Sequence, residues 1–194
     1  MSIELKINIQ KTAIVVIDLQ AGIVAMPTEP HPAKIVIENT AKLLTEARKK
    51  RIAVFLVHVT PSPDLKDALH PITETAFQTS GYNPDWSRYV PELNIQSSDF
   101  LITKHQWGAF YGTELDLQLR RRGIETIILC GISTNIGVES TARFAYEFGY
   151  NQIFVQDAMA ARSKEEHTYP IKYIFPRLGL IRNTDEVLQS LNQD

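Results

Sequence analysis

Cysteine is nearly absent from this sequence, since Cys130 is the single example among 194 residues. One thiol cannot form an internal disulfide, which fits a reducing compartment, and it cannot build a cysteine-based metal cluster. Long apolar segments are also missing, because no run approaches the roughly 20 residues that cross a bilayer. The first residues, MSIELKINIQ, lack the cationic and apolar regions of a secretory signal. We therefore expect a soluble, cytoplasmic protein with no membrane partner.

An excess of positive charge is absent as well. The 20 Lys and Arg residues stand against 22 Asp and Glu residues, which gives a formal net charge of −2. Binding to a phosphate backbone requires clustered basic residues, so we expect no nucleic-acid partner. The glycine-rich nucleotide fingerprints do not occur, and the five histidines show no metal-binding spacing. We therefore predict neither a cofactor nor a metal site.

Short apolar runs alternate with helical patterns along the whole chain. The predicted strands cover residues 12–18, 52–58, 100–103, 126–130, 152–156 and 178–181. The predicted helices cover residues 33–50, 113–122, 134–148, 163–175 and 185–191. Continuously apolar strands separated by helices are typical of a parallel sheet that is buried on both faces. We therefore predict a single α/β domain over residues 1–194, a three-layer, Rossmann-like α/β/α sandwich with a six-stranded parallel sheet.

Two segments have more specific local signals. Thr113 and Asp116 have the spacing of a capping box, and Gly123 stands where the same helix is expected to end. The segment 61–99 holds five of the ten prolines and resists assignment to regular structure. Long irregular insertions often form lids or binding loops, but a surface excursion that covers a sheet edge is an equal alternative.

Polar residues at the carboxyl ends of the strands are the candidates for a site, because ligands of open parallel sheets collect there. Asp18 ends an apolar strand, where its carboxyl is suited to acid–base chemistry, although a helix cap or a backbone partner is the alternative. Lys104 either pairs with Asp18, holds an anionic substrate or is an ordinary surface lysine. His58 and Asp157 also end predicted strands.

The turn GISTNIG, residues 131–137, joins a strand to a helix. The free amides of a helix N-terminus form a cradle for an oxyanion or a carboxylate. Gly137 is unexpected inside a helix, where glycine costs about 1 kcal/mol relative to alanine. Room for a ligand and close helix packing both explain this glycine. Cys130, one residue before the turn, is expected to be an inert core thiol.

Three separated motifs together resemble the isochorismatase-like hydrolases of the cysteine hydrolase superfamily. They are IVVIDLQ at 14–20, ITKHQWGAFYGTELDLQLRRRGIETIILCGIST at 102–134 and TNIGVESTARFAYEFGY at 134–150. The resemblance implies a homo-oligomer with Asp18 and Lys104 as catalytic residues and a cis peptide at Ile132–Ser133. The nucleophilic cysteine of the family's amidases falls on Gly137, which places the chain in a subgroup with glycine at this position.

Loss of the thiol does not exclude chemistry, because isochorismatases proper have a small residue there and cleave a vinyl ether without covalent catalysis. The resemblance therefore implies a non-covalent hydrolase of a small metabolite, with Asp18 as general acid and Lys104 as its partner. Two alternatives stay open: a C–N amidohydrolase that uses activated water, and a non-catalytic protein that binds a metabolite. The residues expected to bind the substrate are Ile132, Ser133, Thr134, Ile136, Trp107 and His58.

Overall fold

The computed structural model describes residues 5–75 and 84–193. Its six strands form one parallel sheet in the order β3-β2-β1-β4-β5-β6. The strands are β1 Thr12–Ile17, β2 Ala53–Val59, β3 Phe100–Lys104, β4 Thr126–Ile132, β5 Asn151–Ala160 and β6 Leu180–Arg182. The α-helices are α1 Ala21–Val24, α2 Ala33–Lys49, α3 Leu115–Arg121, α4 Glu139–Glu147, α5 Lys164–Tyr169 and α6 Thr184–Leu191. The predicted α/β fold with a six-stranded parallel sheet is confirmed.

The sheet separates two hydrophobic clusters. Ile14 and Val16 of β1 pack on the side of α2 and α6, whereas Val15 and Ile17 pack on the side of α3 and α4. This division follows from the strand, in which successive side chains point to opposite faces. All of β1 is buried, as expected for a central strand covered by helices on both sides. Within the described residues, no helix is both long and apolar enough to span a membrane.

Helix α3 begins differently from the prediction. The prediction of a capping box formed by Thr113 and Asp116 is wrong, because Glu114 is the N-cap residue and its side chain makes no capping hydrogen bond. The Thr113 hydroxyl instead accepts a hydrogen bond from the main-chain N–H of Leu115 at 3.1 Å. Gly123 follows the end of the helix with a left-handed φ of 65°, which confirms its predicted role.

The chain from 151 onward is also less regular than predicted. Strand β5 runs to Ala160, four residues beyond the predicted end, and its pairing with β4 shifts register after Leu129. The predicted helix 163–175 is divided into α5, a π-helical turn at Pro170–Ile174 and a 3-10 turn at Phe175–Arg177. Pro170 lacks an N–H and so cannot continue the regular hydrogen-bond ladder of α5.

The described second half of the 61–99 segment is docked on the domain. It contains 3-10 turns at Pro84–Ser87 and Pro91–Leu93, and Val90 and Leu93 are buried in the cluster that includes α2. The buried side chain of Gln20 connects this segment to the sheet. The Gln20 amide donates hydrogen bonds to the carbonyls of Val59 and Trp86, at 3.0 and 3.3 Å. These contacts place residues 86–90 beside the carboxyl ends of β1 and β2, whereas Asp99, just before β3, pairs with Arg48 near the end of α2. Residues 76–83 of the segment lie outside the described residues.

Candidate active site

Asp18 lies directly after β1, at the carboxyl edge of the sheet. Its φ of 53° is in the left-handed region, which aspartate tolerates better than most residues. The turn is held by its main-chain N–H, which donates to the carbonyl of Val57 at 2.9 Å, and by the N–H of Gln20, which donates back to the Asp18 carbonyl at 2.9 Å. Asp18 is only 4% exposed, so its carboxyl lies inside the protein.

Lys104 is the last residue of β3 and is only 1% exposed. Its Nζ donates to Oδ2 of Asp18 at 2.7 Å and to the main-chain carbonyl of Trp107 at 2.6 Å. The structure therefore joins Asp18 and Lys104 in a buried ion pair, although β2 lies between their strands in the sheet. A surface position for Lys104 is excluded.

Gly137 touches this ion pair. A β-carbon built on Gly137 would lie 2.9 Å from Cγ2 of Ile17, 3.0 Å from Oδ2 of Asp18 and 3.3 Å from Nζ of Lys104. The glycine stands in a π-helical turn, Thr134–Val138, that leads into α4. Its lack of a side chain is thus explained by a close approach to the Asp18–Lys104 pair, because any larger residue would press on both charged groups.

Burial raises the pKa of the Asp18 carboxyl, and the ammonium of Lys104, with a smaller electrostatic contribution from His58, opposes this effect only in part. The two carboxyl oxygens are not equivalent. Oδ2 accepts the hydrogen bond from Lys104, whereas Oδ1 is buried and has no hydrogen-bond partner among the described residues. A buried polar atom without a partner is uncommon in folded proteins, and Oδ1 is therefore the oxygen available to carry a proton.

His58 stands near Asp18 but is already engaged on both ring nitrogens. Its Nδ1 lies 2.9 Å from the carbonyl of Ser87, which only accepts, so Nδ1 carries a proton and donates. Its Nε2 lies 2.8 Å from the hydroxyl of Thr103. The ring also stacks on Tyr89 with a centroid distance of 4.7 Å. These contacts attach residues 84–89 to the sheet edge, next to Asp18.

The turn after β4 has the geometry that the resemblance implied. The peptide between Ile132 and Ser133 is cis. The Ser133 carbonyl accepts hydrogen bonds from the N–H groups of Ile136 and Val138, each at 3.2 Å, which closes the turn. Ser133 and Ile136 are half-buried, and Gly137 is buried against the ion pair. This arrangement brings the first turn of the helical segment to the same edge as Asp18 and Lys104.

The side chain of Thr134 points to α5 and not to the ion pair. Its hydroxyl lies 2.8 Å from Nδ1 of His167, and both residues are buried. Burial, together with the nearby His31, lowers the pKa of His167 to about 4, so this ring is neutral near pH 7. Sequence reasoning missed this pair. The signal that places α5 is the capping box of Ser163 and Glu166, but no local pattern connects it to Thr134.

The remaining candidates have other environments. Trp107 gives its carbonyl to Lys104 while the residue as a whole is 60% exposed. Asp157 accepts hydrogen bonds from the N–H and hydroxyl of Thr184 at 2.8 Å and so holds the start of α6. Cys130 is fully buried, and burial raises the pKa of its thiol to about 12. Cys130 is therefore not poised as a nucleophile.

Cavity size and metal-ligand geometry do not identify this site. Two grooves of about 630 and 420 Å³ lie along α2 and beside α1, and neither includes Asp18 or Lys104. In the part of the chain that the structure describes, no three His, Cys, Asp or Glu side chains form a candidate metal site. The assignment therefore depends on the buried ion pair, the unpartnered Oδ1 and the adjoining glycine.

Comparison with known proteins gives a consistent picture. The Isochorismatase domain matches residues 12–186. The chain is 51% identical over 189 residues to the uncharacterized isochorismatase family protein YwoC of Bacillus subtilis, covering 96% of this chain and 97% of that protein.

Solved structures agree with the fold. An isochorismatase family protein from Burkholderia thailandensis superimposes with a TM-score of 0.93 and 44% identity, covering 97% of this chain and 98% of that one. A cysteine hydrolase from Pseudomonas syringae pv. phaseolicola has a TM-score of 0.79 and 25% identity, with 96% and 95% of the two chains covered. The similarity thus extends over nearly the whole chain.

Proposed function

Because the chain belongs to the isochorismatase family, we propose that it is a hydrolase of a small metabolite that acts without a covalent intermediate. The observation that carries this proposal is the state of Asp18. Its Oδ2 is held by Lys104, its Oδ1 is buried without a partner, and Gly137 stands against the pair with no side chain to act as nucleophile. Such a carboxyl is suited to donate a proton from Oδ1.

The reaction class that fits a proton donor without a nucleophile is the hydrolysis of a vinyl ether. Asp18 transfers the Oδ1 proton to the terminal alkene carbon, which leaves an oxocarbenium ion at the carbon that bears the ether oxygen. Water adds to that carbon and returns one proton to Asp18. The resulting hemiketal transfers its hydroxyl proton to the ether oxygen and expels the alcohol, so that a ketone remains. One water molecule is consumed, and the acid is regenerated.

Lys104 has two roles in this scheme. Its ammonium fixes the orientation of the Asp18 carboxyl through the 2.7 Å hydrogen bond to Oδ2. It also opposes the effect of burial on the pKa of Asp18, so that the acid can ionise during the catalytic cycle. We assign substrate contacts to Trp107, to His58 and to the turn residues Ile132, Ser133, Thr134 and Ile136.

The test is pyruvate release from isochorismate, coupled to NADH oxidation, with the wild-type protein and Asp18→Asn side by side. Asparagine tolerates the left-handed φ of 53° at this position and can still accept a hydrogen bond from Lys104, but it cannot donate an acidic proton. We expect turnover by the wild type and a loss of at least 100-fold in Asp18→Asn. Equal rates for the two proteins would contradict the role of Asp18.

Absence of turnover would direct the work to the alternatives. Ammonia release from small amides would identify a C–N hydrolase that uses activated water. A protein that is inert toward both substrate classes, and yet is stabilised by one metabolite, would be a binding protein in which Asp18 and Lys104 form a structural ion pair.

A further inference from the structure

Thr141 of α4 joins two main-chain segments that come together only in the folded protein. Its hydroxyl donates a hydrogen bond to the carbonyl of Gly137 at 2.7 Å and accepts one from the main-chain N–H of Ala109 at 3.1 Å. Threonines within helices often bond the carbonyl four residues before them. The bond from Ala109 is different, because it comes from the loop after β3, 32 positions earlier in the chain. Thr141 therefore connects this loop to the turn before α4.

Both segments approach the ammonium of Lys104. In the loop after β3, two residues before Ala109, the carbonyl of Trp107 accepts a hydrogen bond from Nζ at 2.6 Å. In the turn before α4, a β-carbon on Gly137 would lie 3.3 Å from the same Nζ. The Thr141 hydroxyl therefore closes a ring of contacts that runs along both segments and meets at the ammonium.

The bond between Thr141 and Ala109 lies in the interior. Both residues are fully buried, so bulk water does not replace either partner. The side chains of Gln106 and Thr113 also bond the loop, but they belong to the loop itself and donate to its carbonyls. Without the Thr141 hydroxyl, the buried N–H of Ala109 would lose its acceptor, which is unfavourable and favours a shift of the loop.

We infer that Thr141 is a positioning residue for the Asp18–Lys104 pair, and this inference rests on the function proposed above. The hydroxyl fixes the Trp107 loop relative to the Gly137 turn, and these two segments hold the ammonium that bonds Oδ2 of Asp18 at 2.7 Å. Because Thr141 is fully buried, it acts on the reaction through these groups and not through the substrate. Loss of the hydroxyl is therefore expected to lower kcat and to leave KM nearly unchanged.

Three variants separate the hydroxyl from the space that the side chain fills. Thr141→Val keeps the branched shape and loses both hydrogen bonds, whereas Thr141→Ser keeps the hydroxyl and loses a methyl group. Thr40→Val is the matched control. Thr40 is also a fully buried helical threonine, but its hydroxyl bonds Sγ of Cys130, and Cys130 packs on the other side of the sheet from α4.

The first measurement is an NMR titration, which does not require turnover. The carbon-13 resonance of the Asp18 carboxyl is identified by its absence from the spectrum of Asp18→Asn and is followed with pH in each variant. Lys104, His58 and Tyr89 interact electrostatically with this carboxyl, and the variants keep all three. An ammonium that is held less closely opposes the effect of burial less, so we expect the pKa of Asp18 to rise by about 0.5 or more in Thr141→Val.

Thr141→Ser and Thr40→Val are expected to titrate as the wild type does. The same titration in Thr141→Val as in the wild type, or no titration in either, overturns the inference. A rise that Thr141→Ser or Thr40→Val shares also overturns it, because the hydroxyl of Thr141 is then not the cause. If Thr141→Val does not fold, Thr141→Ala takes its place, and failure of both to fold would show a role in folding alone and overturn the inference.

The second measurement is steady-state kinetics with isochorismate. We expect kcat of Thr141→Val to be at least tenfold below the wild-type value with KM within about threefold, and wild-type kinetics for Thr141→Ser and Thr40→Val. An unchanged kcat in Thr141→Val, or an effect on KM alone, overturns the inference while the proposed function stands. If the wild type is itself inactive, the proposed function fails, and the titration alone decides whether Thr141 positions the pair.

Discussion

Gly137 and Asp18 are in contact: a β-carbon on the glycine would lie 3.0 Å from Oδ2 of the carboxyl. The same added atom would lie 2.9 Å from the branched side chain of Ile17, which has little freedom to move away. The lack of a side chain at position 137 therefore leaves the space that the Asp18–Lys104 pair occupies. The mutual position of these residues is the basis of the first prediction.

Gly137→Ala is expected to lower kcat/KM at least tenfold while the protein still folds. The added methyl group displaces the Asp18–Lys104 pair, and overpacking of this kind costs about 1–3 kcal/mol, offset by up to about 1 kcal/mol of improved helix propensity. Gly108→Ala is the matched control, because its β-carbon would make ordinary contacts of 3.4 Å or more with Phe144 and Ser140. Steady-state kinetics and thermal unfolding of both variants make the measurement. Unchanged activity in Gly137→Ala would show that the pair tolerates a side chain there.

The pH dependence of activity is expected to report the protonation of Asp18. Its pKa is raised above the ordinary 3.8 by burial, and the acid must be protonated to donate, so log kcat/KM falls with a slope of −1 as the pH rises through the pKa of Asp18. The contribution of Asp18 to the unfolding free energy changes with pH in the same direction. The folded state holds this proton at pH values where the unfolded chain has lost it, so this contribution to the unfolding free energy decreases as the pH rises.

The control for this profile is Asp64→Asn, which removes a carboxylate that is largely exposed. If Asp18 causes the fall of log kcat/KM with rising pH, the same fall is expected in Asp64→Asn. If this fall disappears in Asp64→Asn, or moves by a full pH unit, a group other than Asp18 causes it.

The Thr134–His167 pair is expected to make the protein sensitive to acid. The pKa of His167 is lowered from 6.5 to about 4, so between these values the unfolded chain binds a proton that the folded protein does not. The unfolding free energy therefore falls as the pH drops through this window, by about 2–3 kcal/mol from this residue. His167→Gln removes that part of the pH dependence, since its amide can still bond Thr134 but does not titrate.

Urea unfolding from pH 7 to pH 4 measures this effect. His70→Gln serves as the control, because His70 is exposed and lies far from Thr134 in the chain. The same loss of pH dependence in both variants, or in neither, would disprove a role for His167.

Gly22→Ala is expected to detach part of the docked segment. A β-carbon at this position would lie 1.7 Å from Cδ1 of Trp86, so the indole ring must leave its place. Trp86 is one of two tryptophans, which allows its displacement to be followed as a red shift of the fluorescence in a Trp107→Phe background. The reference is the Trp107→Phe protein that keeps Gly22. An unshifted spectrum would mean that the ring finds room without leaving the protein.

Much of the fold was predictable because apolar periodicity is a local property. The sequences of β1 and β4 are almost continuously apolar. A strand with one exposed face would alternate polar and apolar residues, so this pattern predicts strands that are buried on both faces, as in a parallel sheet. Local signals failed where two patterns compete within a few residues. Thr113 has the spacing of a cap, but its hydroxyl also donates to the carbonyl of Ala109 at 2.6 Å, and α3 begins only at Leu115.

The sequence by itself determined the alternation of strands and helices, the parallel sheet and the presence of Asp18 and Lys104 at strand ends, because these depend on side chains close in the chain. Only the tertiary structure decided that Asp18 and Lys104 form an ion pair across the width of β2, that Gly137 touches both, and that His167 holds Thr134. Those contacts join residues between 33 and 119 positions apart, and such distances are closed by strand order and helix packing, which no local pattern encodes.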